Sequence, residues 1–282
     1  MPDRTNVTYR YDGTFDGLCC CVFESYTRKE RPVDIFPEDA PQTTLYPVRD
    51  ILTDPAQADR IRTSISQKLG PNAEYLIKTA FLNGLPGKEL AIYDFIRLGY
   101  RHGPKAANML GNEAVAELQH RVLAVNNEAH LLVEFLRFEE YSGCLVAVIE
   151  PKHFVLPKMQ KHFCSRFPEE RFLIYDETHG AALLYQPYQA RMVAIDDLIL
   201  PEADGTEVCY QELWKRYYQD IAIRQRYNPK CRMTHMAKRY WPHMLEVQKL
   251  TPPKLQSATR AKELQLNGVG LELPGPYAQI EG

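Results

Sequence analysis

Seven apolar residues, Val115, Leu118, Val122, Val125, Ala129, Leu132 and Leu136, recur in alternating steps of three and four. Such steps place all seven on one stripe of an α-helix, where a turn takes about 3.6 residues. The stripe predicts a single helix over 113–140, on the order of 40 Å long. A coiled coil would carry the repeat further than these three heptads, so a core helix lying on a sheet is expected.

Strand texture follows. CLVAVIE (144–150), RFLIYDE (171–177) and AALLYQ (181–186) read as buried strands, and QARMVAID (189–196) as a fourth. Thr178-His179-Gly180 has the length and glycine of a hairpin turn, and 156–167 suits a crossover helix between the first two strands. Nearer the start, 7–11 alternates as a strand and ends at the Asp12-Gly13 turn, before a helix over 15–26. Residues 31–54 hold several prolines and one expected strand around 45–51. Three helices are expected over 55–102, separated by Gly70-Pro71 and Leu85-Pro86-Gly87, with further helix over 206–226 and 231–240.

The expected class is α+β: a mixed β-sheet of four or five strands packed by a long central helix, with a helical lobe over 55–112. Residues 1–248 read as one domain. Residues 249–282 read as an extended arm, because four prolines and four glycines follow Leu250.

Composition fits a soluble globular chain, with 45% apolar and 25% charged residues. The longest apolar runs, Leu18–Phe23 and Cys144–Ile149, are far shorter than a membrane span, and MPDRTN carries no apolar signal stretch. Seven cysteines, three of them consecutive at 19–21, lack the spacing of a disulfide framework or a metal knuckle. A cytoplasmic protein with no membrane partner, no metal and no cofactor is expected.

Charge is distributed unevenly. The formal net charge is only −2, yet eight Lys/Arg residues face one acid, Asp220, between Lys215 and Arg239. A local positive field attracts polyanions even on a near-neutral protein. Arg224, Arg226, Lys230 and Arg232 straddle Asn228-Pro229, and Lys238-Arg239-Tyr240-Trp241 sets two cations beside two aromatics. Arg and Lys suit phosphate contact; Tyr217, Tyr218, Tyr227, Tyr240 and Trp241 offer faces for base stacking, or else anchor the segment in the core. A second cluster lies at strand ends: Glu150, His153, His162 and Asp176 suit acid–base or metal chemistry, or simple capping of the elements they border. His153 and His162, nine residues apart, would fall on opposite faces of one helix. Arg137 is expected to close the long helix, and Gly103-Pro104 to open a helix whose N-terminus suits phosphate.

Four blocks together, YRYDGTFDGLCCCVFESY (9–26), FLRFEEYSGCLVAVIEPKHFVLP (135–157), HFCSRFPEERFLIYDE (162–177) and NPKCRMTHMAKRYWPH (228–243), resemble a bacterial family of DNA metabolism proteins. The resemblance spans roughly residues 5–248. It implies a gene neighbour that is a radical SAM DNA-repair-like protein, and a similar domain fused C-terminal to some uracil-DNA glycosylase-like proteins. The chain has neither the GQDPY-like and HPSP-like loops of the glycosylase nor the three-cysteine signature of a radical SAM cluster. The resemblance and the basic segment lead to one expectation, a DNA-binding accessory protein acting with a radical SAM partner. An enzyme on nucleic acid working through Glu150, His153 and Asp176, or an adaptor docking an acidic protein surface, are the alternatives.

Overall fold

The stripe at 115–136 is buried as its spacing predicts: six of the seven residues are shielded and Leu136 is half-buried. The computed structural model describes residues 6–41, 44–201 and 205–247, and the backbone of 265–267; for Arg224 it describes the backbone alone. The chain divides into two compact units, one holding 6–127 and 152–154, the other 128–151, 155–247 and 265–267.

The first unit opens with β1 (Thr8–Tyr11) and α1 (Phe15–Thr27), whose N-cap Thr14 accepts from Gly17 N–H at 2.9 Å. β2 (Asp34–Pro37) and β3 (Val48–Asp50) both pair parallel with β1, which lies between them. Only one strand is expected over 31–54, because β2 is four residues long and ends in proline, leaving no alternation to detect. Helices α2 (Pro55–Leu69), α3 (Pro71–Phe81) and α4 (Lys88–His102) stand where three helices are predicted. Asp54 caps α2 by accepting from Ala56 and Gln57 N–H, and Pro55 fills the first helical position.

Helix α5 (Glu113–Phe135) ends short of residue 140. Glu139–Tyr141 instead forms β4, antiparallel to β5 (Cys144–Ile149). The cause is the two-residue turn Ser142-Gly143, both at positive φ, which matches the twist of a tight hairpin and folds Tyr141 back opposite Cys144. Arg137 therefore lies outside the helix.

The second unit's sheet has five strands in the order β4-β5-β6-β7-β8, with β6 (Phe172–Asp176), β7 (Ala181–Gln186) and β8 (Gln189–Ala194). β5 and β6 run parallel, joined by α6 (Leu156–Arg166), and the other pairs are antiparallel, so the sheet is mixed. Every residue of β6 is buried, as expected of a strand covered on both faces. Tyr141, Val146, Leu173, Tyr175, Ala182, Val193 and Ile195 pack together as one apolar cluster. β9 (Asp197–Ile199) pairs antiparallel with β10 (Gln265–Asn267). The rest of the expected arm over 249–282 lies outside the described residues. After β9 come α7 (Gly205–Asp220), a 3-10 turn at Arg224–Arg226, α8 (Pro229–His235) and a 3-10 turn at Lys238–His243. The helix expected over 206–226 thus stops at Asp220. No helix among the described residues is long and apolar enough to cross a membrane.

Within the first unit the turn after α3 is tied to residues 152–154. Phe154 N–H donates to Leu82 O and Gly84 N–H to His153 Nδ1, both at 3.0 Å. A Cβ at Gly84 would stand 2.1 Å from the Lys152 carbonyl oxygen, and backbone cannot step aside as a side-chain tip can. Gly84→Ala is expected to cost about 1–3 kcal/mol, the range for overpacking. The urea midpoint measures this loss, and an unchanged midpoint would show the approach to be looser than this.

Candidate functional site

The basic segment lies entirely in the second unit. Asn228 caps α8 by accepting from Cys231 N–H at 3.1 Å, and Pro229 takes the first helical position, so the helix break is built from the expected residues. Arg226, Lys230 and Lys238 are exposed and Arg232 is half-buried. The side chain of Arg224 lies outside the described residues. Lys215, Arg216, Arg226, Lys230, Arg232 and Lys238 form no ion pair among the described residues, whereas Arg10, Arg28, Arg31, Arg49, Arg62, Arg121 and Arg137 each hold a carboxylate. Among the described residues, six cations in one short stretch therefore lack a carboxylate partner.

Aromatic and apolar side chains stay uncovered in the same stretch. Tyr210, Leu213, Trp214 and Tyr217 follow helical spacing along α7 and are all exposed, as is Ile221 just past its end, and Tyr227 is 70% exposed. Trp214 and Tyr217 rings lie 5.8 Å apart. Tyr218, Ile221, Ile223, Arg226, Tyr227 and Arg232 line an open cleft of about 590 Å³ that combines apolar walls with guanidinium groups. Spacing alone suggests a core face for α7; exposure of this face could not be read from the sequence.

Tyr240, Trp241 and Arg239 take another role. Tyr240 is 4% and Trp241 7% exposed, so neither presents a free ring face for base stacking. Arg239 donates to the buried carboxylate of Glu128 at 2.6 Å and also bonds the Tyr240 hydroxyl. Trp241 Nε1–H donates to Met236 O at 3.2 Å, while the Arg232 guanidinium and Lys238 ammonium lie 5.1 and 5.9 Å from the ring centre. The expectation of base stacking on Tyr240 and Trp241 is corrected on these grounds: burial makes this end of the segment an anchor.

The carboxylates and histidines separate. Ile149 and Asp176 are register partners, so Glu150 and Asp176 stand at the carboxyl ends of the adjacent parallel strands β5 and β6. Glu150 Oε1 contacts His243 Nε2 at 3.1 Å, a partner supplied by the basic segment that spacing gave no means of finding. Asp176, fully buried, accepts from His179 N–H at 3.1 Å and contacts His179 Nδ1 at 2.7 Å, which closes the β6–β7 loop. His153 belongs to the first unit, and His162 is exposed on α6. Among the described residues no three His, Cys, Asp or Glu side chains are grouped to hold a metal ion.

Remaining motifs are explained by packing. Asp12 Oδ1 accepts from Thr14 N–H and Oγ1–H and its Oδ2 from Thr53 Oγ1–H, while Tyr11 donates to the buried Glu89. Arg137 pairs with Glu246 at 2.8 Å and stacks on Trp214 at 5.5 Å. Gly103–Asn108 is a six-residue 3-10 turn, too short to gather the N–H groups of an α-helix end. Burial pushes the thiols of Cys19, Cys20 and Cys21 upward, which suits apolar packing and opposes reactivity.

The chain belongs to the DUF4130 family, described as a domain of unknown function, whose model matches residues 86–246. That span runs from the turn before α4 to Glu246 and contains both the carboxylate–histidine contacts and the basic segment. No curated protein and no solved structure matches.

Burial raises the Asp176 carboxyl from its ordinary value, against the lowering effect of His179. A raised folded pKa means that the native state holds more protons than the unfolded chain, from about pH 4 upward to the raised value. Stability from this group is therefore present below that window and lost as pH climbs through it. Asp176→Asn removes the titration, so its urea midpoint relative to wild type is expected to improve as pH rises from about 4 through the raised value and to level off above it. A pH-independent difference would contradict this account.

Proposed function

We propose that the protein binds DNA through residues 214–238 and serves as an accessory factor to a radical SAM repair or modification enzyme. The observation that carries the DNA reading is the set of six cations without an ion pair among the described residues, beside exposed Trp214, Tyr217 and Tyr227. Cations neutralise phosphates and release counterions, and exposed rings offer sequence-tolerant stacking platforms. The radical SAM partner rests on the family resemblance alone.

On this reading, changing Arg226, Lys230 and Lys238 together to Gln lowers the salt slope of DNA binding by about one per lost phosphate contact. Tyr227→Ala weakens single-strand binding by about 1–3 kcal/mol, a typical stacking contribution. Arg239→Gln behaves differently: it leaves Glu128 buried without its cation, so it lowers stability by about 1–3 kcal/mol, discounted for the partial exposure of the guanidinium. Fluorescence anisotropy at several salt concentrations, with and without the radical SAM neighbour, measures the first two. An unchanged slope in a folded triple variant would rule out phosphate contact here.

One observation favours a second reading, an enzyme acting on nucleic acid. The Glu150–His243 contact is half-exposed at a strand's carboxyl end, and a carboxylate that orients an imidazole suits proton transfer. If this pair is catalytic, His243→Gln abolishes turnover of a DNA substrate while leaving DNA affinity and melting temperature unchanged. Equal turnover in variant and wild type would remove this reading.

A further inference from the structure

The first unit contains an arginine whose setting folding alone does not explain. Arg97, on α4, is 6% exposed, yet no carboxylate among the described residues pairs with it. Its Nη1–H donates to the Tyr93 hydroxyl at 2.9 Å, and its guanidinium carbon lies 5.2 Å from the Tyr26 ring centre and 5.5 Å from that of Tyr93. A buried unpaired charge is costly, and two aromatic contacts and one neutral hydrogen bond offset only part of that cost.

Arg97 opens on a cleft of about 630 Å³ that also has Arg31, Asp94, Arg101, Asn112 and Glu113 in its wall. Arg97 and Arg101 are four apart on α4 and so share a face. Arg31 is neutralised by Asp94 at 2.8 Å, and the wall residue Glu117 by Arg121 at 2.8 Å. This leaves Arg97 and Arg101 against Glu113 alone, an excess of one positive charge. The rings of Tyr26 and Tyr93 hold the guanidinium in place, and its donors lie in its own plane, the geometry that fits two oxygens of one anion.

We propose that this cleft is a binding site for a small oxyanion, a metabolite whose carboxylate or phosphate is held by Arg97 and Arg101. It is separate from the basic segment and independent of the DNA reading.

The test uses the full chain, with sodium phosphate and sodium acetate as probes and sodium chloride at matched ionic strength as reference. Isothermal titration calorimetry and melting temperature are the readouts. Saturable binding of at least one probe is expected at millimolar concentration, weakened about tenfold or more by Arg101→Gln, the loss expected for a charge-assisted contact. Arg97→Lys keeps the charge but loses the fork and is expected to weaken binding similarly; if it fails to fold, the exposed Arg101 variant still decides. Binding of phosphate alone assigns a phosphate ester, of acetate alone a carboxylic acid, and both support the site. The proposal is overturned if neither probe exceeds the chloride reference, or if Arg101→Gln binds as tightly as wild type.

Discussion

A single buried carboxylate organises the region that carries the protein's unpaired positive charge. Glu128, on α5, has its side chain 3% exposed and accepts from Arg239 at 2.6 Å and from the Tyr240 hydroxyl at 3.2 Å. Unpaired, that carboxylate would impose a desolvation penalty of several kcal/mol. Holding Arg239 there draws Tyr240 and Trp241 into the interior, and the Phe135 ring packs 6.4 Å from that of Tyr240. Tyr227, Arg226 and Lys230 remain at the surface, and His243 is brought to Glu150. One ion pair thus sorts the segment into an anchored end and a presented end.

The sequence revealed those features in which one residue type has one physical use. The 115–136 stripe, the apolar runs of β5, β6 and β7, the crossover α6 and the helix break at Asn228-Pro229 fall in that class. Harder to read were features where local pattern and tertiary pairing disagree. Residues 139–141 continue a helical register, yet become β4 because Ser142-Gly143 favours a hairpin and β5 supplies a ladder. The aromatics of 214–241 look alike in sequence, and only the Glu128 contact, 111 residues from Arg239 along the chain, separates those inside from those outside. Arg97 was silent for the same reason, since an arginine on an amphipathic helix reads as solvated until its neighbours are known.

The two carboxylates at the ends of β5 and β6 show how one topological position supports different uses. Both sit at the carboxyl end of a parallel pair, where α/β folds place their sites. Asp176 has no exposed surface and binds a residue three positions away, which makes it a loop closure whose ionisation burial opposes. Glu150 is partly exposed and holds a histidine 93 positions away. A long-range contact of that kind adds nothing to local turn formation, and the Glu150–His243 pair is the one of the two that solvent reaches.

The charge balance bears on how a polyanion would be held. Two carboxylates beside the basic segment are already engaged, Glu246 by Arg137 and Trp214 and Glu207 by the Glu140 N–H and Gln211, which leaves Glu212 and Asp220 on α7 as the acids closest in sequence to its cations. Glu246 and Glu207 are held where they are, and the six cations that form no ion pair among the described residues outnumber Glu212 and Asp220, so the patch stays positive in a chain of net charge −2. With so little net charge, attraction over distance is weak, and screening confines the patch to about 8–10 Å at physiological salt. Charge can therefore retain a strand already in contact, but it gives little guidance from afar. Recognition on this reading must come from short-range features, the open cleft beside Tyr227 and the Trp214–Tyr217 face. Unstacked bases present flat surfaces to such features and paired bases do not, so the proposed DNA reading carries with it a preference for single strands over duplex.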